Sequence, residues 1–117
     1  MPKKYRLSRA DWLRLPRPAQ RIHGSYFSLS AVPFPLLNGP KVALVVSKKI
    51  AKRAVDRNKI ERRCREALRP LIQKMQKPVA LILHAKREAR EASYADVALD
   101  IGKLLRSLNA RDTMPAL

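Results

Sequence analysis

An apolar run at residues 41–47 passes through a short basic loop into a helical apolar stripe, and this succession constrains the fold more than any other feature. Lys41-Val42-Ala43-Leu44-Val45-Val46-Ser47 is continuous rather than alternating. Such a run predicts a central strand with both faces largely covered. Residues 48–53 then link strand to helix. From Ala54 onward, Ile60, Cys64, Ala67, Leu68, Leu71, Ile72 and Met75 fall on one arc at about 100° per residue. The spacing predicts a long helix from Ala54 to about Met75, with a break or kink at Pro70. Cys64 lies inside the apolar arc, which reads as a small buried hydrophobe rather than a reactive thiol.

The flanking elements follow from the same local rules. Ser8 caps a short predicted helix carrying Asp11, Trp12, Leu13 and Leu15, which Pro16 and Pro18 stop. A short extended segment over 19–24 ends near Gly24. Residues 26–32 alternate, with Phe27, Leu29 and Ala31 on one face and Tyr26, Ser28, Ser30 and Val32 on the other, which predicts a half-exposed strand. Pro33, Pro35, Asn38, Gly39 and Pro40 form a loop. Val79 to Ala85 is a second apolar run and a buried strand. Ser93 with Asp96 marks a helix start, after which Val97, Ile101, Leu104, Leu105 and Leu108 recur at helical spacing. These elements form one domain over residues 1–117, with 1–5 and 110–117 expected to be flexible.

Charge speaks to the partner. Twenty-six Lys and Arg against nine Asp and Glu give a net charge of +17, a field suited to a polyanion. The excess is local: residues 41–77 hold thirteen cations and three acids, whereas 86–112 hold six and five. On the predicted helix Asn58, Arg62, Arg65 and Arg69 share an arc beside the apolar one, with Lys59 and Arg63 further round. Like charges at this spacing repel by a few tenths of a kcal/mol per pair, about 0.2–0.5. Folding alone gives no reason for such a stripe, and phosphates laid along it relieve the repulsion. Lys48, Lys49, Lys52, Arg53 and Arg57 form a second group, a cationic knot at the helix entrance, where free amides also attract phosphate.

Other chemistries find little support. The sequence has no Gly-rich phosphate loop, no Cys/His metal cluster and no nucleophile with a neighbouring base. The acids do not cluster as a two-metal nuclease requires. His23 and His84 lie far apart, and His84 falls in a buried strand as a structural residue. No apolar run approaches 18 residues, no signal-peptide core follows the N-terminus, and the single cysteine fits a reducing cytoplasm.

The spacing of Ser47-Lys48-Lys49, Ala54-Val55, Arg57-Asn58-Lys59-Ile60, Arg62 and Arg65-Glu66-Ala67 resembles the protein component of bacterial ribonuclease P. Looser agreement at Arg6-Leu7, Asp11-Trp12, Gly24, Phe27 and Ala85-Lys86-Arg87 extends it over most of residues 6–108. The resemblance implies an α/β (α+β), ribosomal-protein-like domain: a mixed sheet of about four strands, a long basic helix, flanking helices and a left-handed βαβ crossover. It also implies an accessory subunit of an endoribonuclease whose catalyst is RNA, removing the 5′ leader from precursor tRNA, with no protein active site and with magnesium held mainly by the RNA. The implied partners are the catalytic RNA and the precursor tRNA, with no DNA and no membrane. By position, Lys48, Lys49, Arg53, Arg57, Asn58, Lys59, Arg62 and Arg65 become the RNA-binding set, joined by Lys52 and Arg69 from the knot and stripe. The leader is implied to lie in a cleft between the central helix and the sheet, with Trp12, Tyr26, Phe27 and Lys86 as candidates. Glu61 stands where that family usually has a cation. A structural ribosomal protein or RNA chaperone fits the charge equally well but leaves the strand–loop–helix pattern unexplained.

Overall fold

The computed structural model describes residues 5–16, 21–34, 37, 39–75 and 77–112, with side chains described through 108. Pro18, Pro35 and Asn38, and most of the two termini expected to be flexible, lie outside those residues. Tyr5 does not belong to a free arm, since it packs against the main core, and the last helix continues through 110–112.

Among the described residues four strands and three α-helices follow one another: α1 (Arg9–Arg14), β1 (Arg21–His23), β2 (Phe27–Pro33), β3 (Lys41–Val45), α2 (Ala54–Ile72), β4 (Val79–Ala85) and α3 (Tyr94–Asp112). A 3₁₀ turn, Arg87–Arg90, precedes α3. The strands form one mixed sheet in the order β1-β2-β4-β3, in which β3 and β4 are parallel and the other pairs antiparallel.

Strand order corrects one expectation. The continuous run of β3 is an edge strand, not a central one, and only Val42 within it is buried. Its outer side is partly covered by the N-terminal segment: Arg6 bridges to Val42, and the Leu7 amide donates to the Val42 carbonyl at 2.9 Å. The central strand on this side is β4, whose first five residues are all buried.

The pleat divides the side chains between two layers. Phe27 and Leu29 of β2, Val42 of β3 and Leu81 and Leu83 of β4 point to one face. There they meet Ile60, Cys64, Leu68 and Ile72 of α2 and Val97, Ile101 and Leu104 of α3. On the other face Val32, Ala80 and Ile82 join Leu37, with Leu7, Leu15, Phe34 and Val45 packed around them. This second layer overturns the expected half-exposed strand. Ser28, Ser30 and Val32 of β2 are nearly as buried as Phe27 and Leu29, and Leu7 and Leu15, which flank α1, pack on this face with Phe34. Arg14 of α1 sits 5.8 Å from the Phe34 ring centroid, a cation–π contact that ties α1 to the end of β2.

Local signals set the helix ends. Ser8 Oγ accepts from the Asp11 amide at 3.0 Å. Ser93 and Asp96 form a reciprocal capping box at the start of α3, with bonds of 3.1 and 3.3 Å. Pro70 does not break α2, contrary to expectation. It stands in the last turn, where the missing amide costs a single intrahelical bond, and the helix ends two residues later. Leu68 is fully buried between α2 and the sheet. Leu68→Ala is expected to cost about 2–5 kcal/mol in denaturant unfolding. The salt dependence of RNA binding by the folded fraction should stay unchanged.

Candidate nucleic-acid interface

The loop before α2 is built around Arg57. The Ser47 carbonyl accepts the amides of Ile50 and Ala51, which turns the chain. Arg57 then reaches back from the first turn of α2, donating through Nη1 to the carbonyls of Ala51 at 3.0 Å and Lys52 at 2.7 Å. One guanidinium therefore organises the knot from inside, half-buried, while Lys48, Lys49, Lys52 and Arg53 stand exposed around it. Arg53 donates to both carboxylate oxygens of Asp56, at 2.9 and 3.3 Å. That pairing raises the Arg53 pKa further above its ordinary value and, first through the hydrogen bond, holds Asp56 below the usual carboxylate range.

Two cationic surfaces leave this knot along α2. Asn58, Arg62 and Arg69 are exposed along one flank with the half-buried Arg65. Arg65 pairs with Glu61 at 3.3 Å and Arg69 with Glu66 at 3.6 Å. Arg62 has no ion pair among the described residues. The inverted charge at Glu61 is thus paired within the stripe itself, one turn before Arg65. On the other flank a pocket of about 610 Å³ is lined by Lys49, Lys52, Arg53, Asp56, Lys59, Arg63 and Arg90. Arg63 donates to the Ala92 carbonyl at 2.8 Å, which fixes it against the turn carrying Arg90. Sequence spacing left Arg63 apart and gave Arg90 no role. Their meeting depends on the packing of α2 against the segment before α3.

Among the described residues, no cleft opens between α2 and the sheet, where the resemblance implied one. That space is the main core, and Phe27, a leader-cleft candidate, is 1% exposed there. Tyr26 is half-buried against the same core. Lys86 is half-buried, and its ammonium donates to the Gly24 carbonyl at 2.6 Å, bracing the β1–β2 turn.

The open groove lies across the sheet instead, between α1 and the strands. It measures about 360 Å³ and is lined by Trp12, Leu15, Pro16, Arg21, Ser30, Ile82 and His84. Of the four candidates it contains only Trp12, which is 39% exposed. Arg21 and His84 are its unanticipated members. His84 is not a structural core residue but half-buried on the groove side, and burial, with the Arg21 charge, lowers its pKa. Strand parity carried the signal: Arg21 pairs with Ser30, Ser30 with Ile82, and Ser28 with His84.

Cys64 is fully buried, and desolvation pushes its thiol far above the ordinary range. Among the described residues no group of three or more His, Cys, Asp or Glu is placed to hold a metal ion, and no helix is long and apolar enough to cross a membrane.

A strand–basic-loop–helix unit of this kind, on a β1-β2-β4-β3 sheet, has counterparts among known proteins. A family model described as Ribonuclease P matches residues 1–109. This chain belongs to the ribonuclease P protein family. The ribonuclease P protein component of Thermus brockianus is 44% identical over 84 residues, covering 71% of this chain and 47% of that protein. The one from Picosynechococcus sp. is 29% identical over 106 residues, covering 90% of each. The chain thus spans about half the length of the Thermus relative and most of the other. Solved structures share the fold: a Staphylococcus aureus RNase P protein mutant with defective mRNA degradation activity has a TM-score of 0.79 at 22% identity, covering 92% of this chain and 90% of that one. The RNase P protein from Thermotoga maritima has a TM-score of 0.73 at 20% identity, covering 87% and 96%.

Proposed function

We propose that this protein is the RNA-binding subunit of ribonuclease P, assisting a catalytic RNA in removing the 5′ leader from precursor tRNA. One observation carries the reading beyond family membership. The apolar stripe of α2 from Ile60 to Ile72 is taken up by the core, while the cations of the loop and helix emerge as a knot and two flanks facing outward. A surface so rich in Arg and Lys, with few acids, fits a folded RNA whose backbone runs along the helix.

In this reading the stripe and knot hold the catalytic RNA: Lys48, Lys49, Lys52, Arg53, Asn58, Lys59, Arg62, Arg65 and Arg69 as contacts, with Arg57 shaping the loop. The groove between α1 and the sheet takes the single-stranded leader, with Trp12 offering an indole face for stacking. The groove and α2 lie on opposite faces of the sheet, so one small domain can hold catalyst and substrate together. The chemistry belongs to the RNA, with magnesium held mainly by RNA ligands. Five of the protein's nine acids serve other ends: Asp56, Glu61 and Glu66 pair with arginines, and Asp96 and Asp100 accept backbone amides. The site of action is the cytoplasm, where precursor tRNA is made in bacteria.

The test is reconstitution with the cognate catalytic RNA. Protein alone should cleave nothing, while the assembled particle should cleave precursor tRNA at magnesium concentrations too low for the RNA alone. Its gain in substrate affinity should vanish with a leaderless tRNA. Folded protein that gives no gain, or that co-sediments with ribosomal subunits without leader preference, would falsify the proposal in favour of a structural ribosomal or chaperone role.

A further inference from the structure

We propose that Arg21 and His84 read the edge of one unstacked leader base in the groove, against Trp12 as its stacking wall, and that the base they select is guanine. The inference rests on the leader-binding reading above and adds a base preference to it.

The groove differs in kind from the surfaces on α2. Its walls are an indole, two aliphatic side chains and a proline, and Arg21 carries the one formal charge among its lining residues. A phosphate track has the opposite character, as the many cations around the α2 pocket show. The groove's volume of about 360 Å³ lies near the lower end of the roughly 300–1,000 Å³ range of small-molecule sites. That is room for one nucleotide and not for a duplex.

The polar groups are placed by the sheet. Arg21 stands opposite Ser30 on the neighbouring strand, and its Nε donates to Ser30 Oγ at 3.4 Å. Among the described residues its two Nη groups make no other hydrogen bond, so the fork is held at one corner with its outer donors available. His84 lies two residues along β4 from Ile82, the partner of Ser30, on the same face. Burial and the Arg21 charge lower the pKa of its imidazole, which favours the neutral form with one donor and one acceptor. Neutral imidazole suits a base edge better than a phosphate.

The fork then decides between bases. Guanine presents two adjacent acceptors, O6 and N7, to a guanidinium. Adenine places an amino group where O6 would be, so that donor faces donor. Pyrimidines lack N7 and offer a smaller surface to Trp12.

The test uses the reconstituted particle and precursor tRNAs in which each leader position is set in turn to G, A, C or U, with a leaderless control. At one position G should bind about 5-fold or more tighter than the other bases. Arg21→Ala should erase that ranking while leaving affinity for leaderless tRNA unchanged. Arg21→Lys keeps the charge but loses the fork and should erase it too, and His84→Ala should narrow it. Arg21 is exposed, and unchanged thermal midpoints confirm that the variants fold. The inference is overturned if wild type shows no G preference, or if Arg21→Lys keeps the ranking. It is overturned equally if Arg21→Ala weakens all leaders alike, since Arg21 would then be meeting phosphate. Absence of any leader-dependent gain in wild type is a separate result, which removes the leader-binding reading itself.

Discussion

Asp100→Ala is expected to destabilise the domain by about 3–5 kcal/mol, although Asp100 makes no ion pair among the described residues. The carboxylate projects from α3, 5% exposed, into the turn between β1 and β2. Its Oδ1 accepts the Ser25 amide at 2.8 Å, and its Oδ2 accepts those of Tyr26 and Phe27, both at 3.0 Å. Each buried amide left without an acceptor costs about 1–3 kcal/mol, reduced where water can reach it. The Phe27 bond is fully buried and the other two partly so, which places the sum in the range given. Asp100→Asn should recover only part of the stability, because an amide nitrogen must then face one set of donors.

Gly24 completes this clamp. A Cβ at Gly24 would lie 2.5 Å from Asp100 Oδ1 and 2.8 Å from Oδ2, so glycine is required for close approach rather than for an unusual φ. Gly24→Ala should therefore destabilise in wild type and cost much less in an Asp100→Ala background, where the colliding atoms are gone. Urea unfolding of the two single variants and the double variant measures that coupling. Simple additivity would sink the account. The functional stake is register. The clamp and the Lys86–Gly24 bond together fix the turn that delivers β1, and with it Arg21, to the groove.

Local pattern revealed the helices and their buried faces. Ile60, Cys64, Leu68 and Ile72 carry the core contact of α2 that their spacing predicts, and Ser93 with Asp96 starts α3. Alternation in β2 correctly paired Phe27 with Leu29 on one face. It could not reveal that Ser28 and Ser30 are also buried, because the second layer on that face, which includes Leu7, Leu15 and Phe34, is brought there by tertiary packing. The same gap misplaced β3. A continuous apolar run reads as central, yet part of its protection comes from residues 6–7, some 35 positions away in the chain. Asp100 escaped altogether, since a lone acid on an amphipathic helix looks like a solvated residue until the chain 75 positions earlier folds onto it. The basic motif made the cationic flank of α2 legible. The groove was not legible from composition, as its members come from α1, β1, β2 and β4 with one or two residues each.

Replacing Arg62 and Arg65 together by Ala is expected to lower affinity for the catalytic RNA and to flatten its salt dependence. Removing one phosphate-binding cation should reduce the slope of log K against log salt by about 0.7–0.9, or roughly 1.4–1.8 for the pair if both arginines meet phosphate. The two arginines are not equivalent. Arg62 is exposed and has no ion pair among the described residues, whereas Arg65 is held by Glu61 at 3.3 Å. That pair is about a third exposed on the Arg65 side, so water screens it and it contributes little to stability. Its consequence is competition: RNA phosphate must displace or share the guanidinium that Glu61 holds. Arg62→Ala alone should accordingly weaken binding more than Arg65→Ala alone. Glu61→Gln should strengthen binding, most at low salt, and the gain should disappear in an Arg65→Ala background if Glu61 acts through Arg65. A gain that survives there would mean instead that Glu61 repels phosphate directly. Filter-binding isotherms across a salt series, with Leu68→Ala as the stability control, separate these outcomes. An unchanged slope in the double variant would show that the flank of α2 does not meet the RNA backbone at all.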